Sequence, residues 1–240
     1  LNSMDTYGMP HVGQSAPAFT ARSTGGVVNF PENYGGRWVL LYIYIGDFMP
    51  CCTSDILALS KAAPRFQSYN TEIIAASPDS VAAHIAWLLS LRNMNKGSDI
   101  NLELISDRDL NISSKYAVNN VGEDMGKLEK AVVIIDQTGV VQAVHTFPHA
   151  TGINITELER QLLALQTARY QFAMTPSGWT PGDEILEYPP QTVSSAGKNV
   201  TERTAAGGRC VDWYLCYRQD SGLRKPSPTS QVEAQMPNVQ

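Results

Sequence analysis

The chain has 240 residues, a net charge of −5, 43% hydrophobic and 17% charged residues, a size that allows one large domain or one domain with an appendage. No segment approaches the roughly 18 unbroken apolar residues of a membrane helix, and the scattered basic residues argue against nucleic acid or an anionic membrane as partner. Four cysteines are too few for a disulfide-stapled secreted domain, so the expectation is a soluble cytoplasmic protein; Leu1-Asn2-Ser3 ahead of Met4 is set aside as an appended remnant.

Residues 37–45, Arg-Trp-Val-Leu-Leu-Tyr-Ile-Tyr-Ile, are β-branched and aromatic without polar alternation, the pattern of a strand buried on both faces. After a loop from Gly46 to Cys52, apolar residues recur at Ile56, Leu59, Ala63 and Phe66, a helical stripe begun by Thr53-Ser54-Asp55. The Cys51-Cys52 pair therefore sits on a strand-to-helix turn. A second strand, Glu72 to Ala76, precedes a helix opened by Ser80, with Val81, His84, Ile85, Leu88 and Leu91 on one face, and Leu102 to Ile105 reads as a short strand. Ala131–Ile135 and Val140–Val144 form a predicted hairpin across Asp136-Gln137-Thr138-Gly139, where Gly139 supplies the backbone freedom of the turn. Asn154 and Glu157 resemble a capping box for a helix burying Ile155, Leu158, Leu162 and Leu165. The order is that of an α/β protein with a mixed sheet. That helix closes a first domain, residues 4–173. Beyond it Pro176, Pro181, Pro189 and Pro190 interrupt any long element, giving an arm or small domain over 174–220 and a mobile tail over 221–240.

A helix N-terminus favours the reactive thiolate through its unpaired N–H groups and dipole, and Cys52 has that position. Several segments carry a family resemblance: Gly13-Gln14-Ser15-Ala16-Pro17-Ala18-Phe19, Gly46 through Asp55, Ser77-Pro78-Asp79-Ser80 through Trp87, and Thr175 through Asp183. From Val12 to about Pro190, and again at Cys210 to Cys216, the chain resembles a peroxiredoxin, near the archaeal thioredoxin peroxidases and the one-cysteine type. The resemblance implies a thioredoxin-like sheet flanked by helices and a peroxidatic cysteine, Cys52. That cysteine attacks the O–O bond of a hydroperoxide, becomes a sulfenic acid and is reduced by another thiol. Arg209 through Tyr217 is similar to the family's Cys-x-Asp-Trp-x-x-Cys segment, which makes Cys216 the resolving cysteine and Cys210 its partner. It also implies a thiol reductant such as thioredoxin, a homodimer or ring of dimers, and no cofactor or metal.

The departures fall on the pocket. Where the family pattern has a shielding proline and a threonine hydroxyl, this chain has Ile45 and Met49; the family's arginine falls at Lys130, and a histidine of near relatives at Tyr44. Lysine keeps the charge without the planar fork of donors. Cys51 reads as a packing residue, with a vicinal disulfide or a competing nucleophile as alternatives; His84 reads as structural beside Trp87, and His145 and His149 as solvated. Three functions stay open: a peroxidase, the same scaffold acting on a different organic substrate, and a scaffold with weak or no catalysis, including soft-metal binding by Cys51-Cys52 and Cys210/Cys216.

Overall fold

A computed structural model describes residues 8–122 and 124–222. Residues through Glu159 form one compact unit and residues from Arg160 a second. The Leu1-Asn2-Ser3 remnant and all of the expected tail beyond Gly222 lie outside the described residues.

The first unit is built on a mixed sheet. Its strands are β1 (Phe19–Ser23), β2 (Gly26–Phe30), β3 (Trp38–Ile43), β4 (Thr71–Ser77), β5 (Glu103–Ser106), β6 (Glu129–Ile135) and β7 (Val141–Pro148), in the spatial order β2-β1-β5-β4-β3-β6-β7. Strands β3, β4 and β5 run parallel, because helices α1 (Pro50–Ser68) and α2 (Val81–Met94) make the crossovers; β6 and β7 return antiparallel as the expected hairpin. Gly139 closes its turn at φ +79°.

All six residues of β3 are buried, which explains the absence of polar alternation. On one face Val39, Leu41 and Ile43 join Phe19, Phe30, Ile74, Ile105, Val133 and Ile135 in a single core. On the other, Trp38, Leu40 and Tyr42 are fully buried, and Tyr42 reaches α1 through Asp55. Complete burial of such a side chain contributes about 1.5–3 kcal/mol, so the strand under the cysteine turn is well anchored.

Two helices differ from the sequence expectation. Helix α1 begins at Pro50 rather than after Cys52, since proline's fixed φ and missing N–H suit the first helical position. Both cysteines are thus inside its first turn. In α2 the Ser80 hydroxyl accepts from the Ala83 N–H as expected, but the buried face is His84, Trp87 and Leu91. Ile85 is 47% exposed instead, because the helix turns His84 and Trp87 toward the loop after β3. A short α3 (Asn111–Lys115) follows β5.

Helix α4 (Ile155–Gln171) runs across the boundary of the units, and the Glu157 N–H donates to Asn154 Oδ1 at 3.1 Å, one half of the expected capping box. The second unit contains β8 (Ile185–Leu186), α5 (Val193–Ala205), β9 (Arg209–Asp212) and β10 (Leu215–Arg218), with the strands ordered β8-β10-β9. Helix α5 lies after the Pro189-Pro190 pair and is opened by a reciprocal cap between Thr192 and Ser195.

Candidate active site

The chain leaves β3 at Ile43 and enters α1 at Pro50, so residues 44–49 form the loop that aims the first helical turn. Met49 stands at the N-cap in extended conformation and offers no side-chain acceptor to the helix. Cys51 and Cys52 follow at the second and third helical positions. Their surroundings differ: Cys52 is 0% exposed, whereas Cys51 is half-buried. Burial pushes the Cys52 thiol up; backbone hydrogen bonding at Ile45, the Lys130 charge and backbone hydrogen bonding at Gly46 pull the other way without offsetting it. Ile45 therefore acts on the sulfur through its main chain, and both Ile45 and Met49 are half-buried.

The charge comes from β6. Lys130 is fully buried, its ammonium 2.6 Å from Asp55 Oδ2 and 3.2 Å from Cys51 Sγ. Asp55 lies on α1 three residues after Cys52 and is 2% exposed; it also accepts the Tyr42 hydroxyl at 2.6 Å and the Ile153 N–H at 3.0 Å. Burial lowers the Lys130 ammonium, but the hydrogen bonds and charges of Asp55 and Cys51 outweigh it, and Lys130 stays above the ordinary lysine value. The lysine thus hydrogen-bonds the neighbour of the expected nucleophile while acting on Cys52 through its field. Cys51, expected as a packing residue, is instead an acceptor at the edge of the site.

A second buried network fixes the loop. Asp47 accepts from the Tyr44 hydroxyl at 2.8 Å and lies 2.8 Å from His84 Nδ1, while its own N–H donates to Asp79 at 2.7 Å. His84 Nε2 faces the Ile105 carbonyl at 3.2 Å. Tyr44 stacks on Tyr42 and packs near Trp87. His84 is thus buried within this network, and the loop is tied to the segment that follows β4 and to α2.

In the second unit Cys210 and Cys216 occupy directly opposed positions on β9 and β10 and form a disulfide. Cys216 is buried and its sulfur receives the Asn199 side-chain amide at 3.4 Å. Cys51 and Cys52 are free thiols. Among the described residues no cluster of three or more histidine, cysteine or carboxylate side chains has the grouping of a metal site.

The model of the AhpC/TSA family matches residues 12–144, a span that holds the cysteine turn, Asp55 and Lys130. A peroxiredoxin of Methanosarcina mazei is 33% identical over 218 residues, covering 89% of this chain and 99% of the relative. The chain belongs to the peroxiredoxin family. A peroxiredoxin of Thermoplasma volcanium is 37% identical over 86% of this chain and 98% of its own. Among solved structures, the yeast mitochondrial 1-Cys peroxiredoxin superposes with a TM-score of 0.77 at 25% identity, covering 88% of this chain and all of that one.

Proposed function

We propose that the chain is a thiol-dependent peroxidase that reduces hydrogen peroxide or organic hydroperoxides through a sulfenic acid on Cys52. The reading rests on the first turn of α1, where burial raises the Cys52 thiol but backbone hydrogen bonding at Ile45 and Gly46 and the positive charge of Lys130 act toward its thiolate. The thiolate attacks one peroxide oxygen, the O–O bond breaks, and its electron pair leaves with the other oxygen, which takes up a proton as water or an alcohol. Cys52 becomes a sulfenic acid, two electrons poorer.

For resolution, Cys216 of a neighbouring subunit, in its reduced form, condenses with the sulfenic acid and water leaves. Cys210 then displaces Cys52 from Cys216, regenerating the peroxidatic thiol and closing the Cys210–Cys216 disulfide, the pairing present in the structure. A dithiol reductant such as thioredoxin returns that pair to thiols. This route needs at least a homodimer, with a ring of dimers as the larger assembly, and a reducing compartment such as the cytoplasm to supply electrons.

Met49 and Ile45 give the peroxide no side-chain hydroxyl, and loss of one placed donor costs roughly 100-fold in rate. The enzyme is accordingly a slow member of its family. One equivalent of hydrogen peroxide, or separately of cumene hydroperoxide, added to reduced protein should leave a sulfenic acid on Cys52 or a Cys52–Cys216 disulfide by mass spectrometry. A Cys52 unmodified after minutes with both oxidants refutes the proposal.

A further inference from the structure

Two thiols share one turn, yet the buried ammonium hydrogen-bonds only one of them. Lys130 Nζ is 3.2 Å from Cys51 Sγ, and Cys51 is half-buried where Cys52 has no exposed surface. The carboxylate beside the ammonium does not consume its donors. Asp55 spreads its charge over the Tyr42 hydroxyl and the Ile153 N–H as well as Lys130, and a lysine carries three donors around one point charge. Cys51 also sits in the first turn of a 19-residue helix, where the dipole favours an anion.

We propose that Cys51 is a second peroxide-reactive thiol of this site, directed by the Lys130 ammonium and reached by hydroperoxides that cannot approach the buried Cys52. The inference rests on the peroxidase reading and extends it to a residue outside the family pattern of the site. In the step, the Cys51 thiolate forms a bond to one peroxide oxygen as the O–O bond breaks. The departing alkoxide or hydroxide takes a proton from solvent at the open side of the site. The resulting Cys51 sulfenic acid condenses with one small monothiol to a mixed disulfide, releasing water, and a second monothiol displaces Cys51 as its thiol, leaving the reductant as a disulfide.

The test compares wild type, Cys51→Ser and Cys52→Ser, each reduced and then treated with one equivalent of cumene hydroperoxide in the presence of dimedone, with the adduct located by fragmentation mass spectrometry. Cys52→Ser should still acquire an adduct on Cys51. Placing Lys130→Gln in the Cys52→Ser background should slow that labelling at least tenfold, with near-ultraviolet circular dichroism verifying the fold. Should that double variant not fold, Lys130→Arg in the same background supplies the comparison. Its larger guanidinium cannot keep the same ammonium-to-sulfur geometry, and labelling should again slow. An unlabelled Cys51 in Cys52→Ser, with Cys52 labelled in wild type, overturns the inference and leaves the peroxidase reading standing. Labelling of Cys51 at an unchanged rate after substitution of Lys130 also overturns it. No adduct on either cysteine in any of the three proteins overturns the inference, and a Cys52 left unmodified by hydrogen peroxide as well overturns the peroxidase reading with it.

Discussion

Replacing Lys130 by methionine keeps most of the side chain's volume and removes its charge, which isolates the buried ion pair with Asp55. Neither partner has solvent to fall back on, at 0% and 2% side-chain exposure. Removing one member of such a pair costs about 3–5 kcal/mol, because the survivor is left as an uncompensated buried charge. Asp55 keeps the Tyr42 hydroxyl and the Ile153 N–H, each worth about 1.5–3 kcal/mol to a charged acceptor, so the loss should fall near the lower end, about 3 kcal/mol. Guanidinium unfolding followed by the fluorescence of the buried Trp38 and Trp87 measures it. The double variant with Asp55→Asn removes both charges, and its loss should be smaller than the sum of the single losses by 1 kcal/mol or more. A Lys130→Met loss below about 1 kcal/mol at unchanged denaturant dependence, or strict additivity in the double variant, refutes the buried-pair reasoning.

Because burial raises the Cys52 thiol, its alkylation by iodoacetamide in a Cys51→Ser background should increase with pH through an inflection above the ordinary thiol value of about 8.5, and an inflection at or below that value counts against it. Met49→Thr places a hydroxyl at the N-cap of α1 and, on the peroxidase proposal, should raise the rate of hydrogen peroxide consumption by roughly 10- to 100-fold; an unchanged rate means that the lack of a hydroxyl there is not what limits turnover. Thr192→Ala removes the cap of α5 and should cost about 1 kcal/mol, read as faster amide exchange through that helix. At Gly208 an added Cβ would stand 2.7 Å from the Tyr217 carbonyl oxygen, so Gly208→Ala should lower the midpoint of the second unit by an amount worth roughly 1–3 kcal/mol.

The first unit was legible where one local pattern dominated. An unbroken apolar run marked β3, Gly139 marked the β6–β7 hairpin, and Ser80 and Asn154 marked helix starts, all of which depend on neighbours in sequence. The second unit was not: β8, β9 and β10 are two to four residues long, too short for periodicity, and α5 is mostly polar, held by a Thr192–Ser195 cap rather than an apolar stripe. In the site, sequence pointed to Cys52 and Lys130 but took Asp55 for a helix starter. Its spacing of three from Cys52 was the available signal, since it places both on one helical face. Tyr42 was hidden inside an apolar strand, and the choice between Cys51 and Cys52 as the partner of Lys130 depends on the direction in which β6 presents a side chain, which no local pattern encodes.

The missing side-chain cap at Met49 has a consequence for motion. A helix normally damps the fraying of its first turn with a side-chain acceptor at its head; this one opens on a thioether, so the turn that carries both thiols lacks that brake on local opening. Exchange at the amides of Cys51 and Cys52 should therefore be fast compared with the body of the helix, even though the Cys52 side chain has no exposed surface. The rate at which a sulfur sealed in the static structure meets hydrogen peroxide should then follow the frequency with which this turn opens.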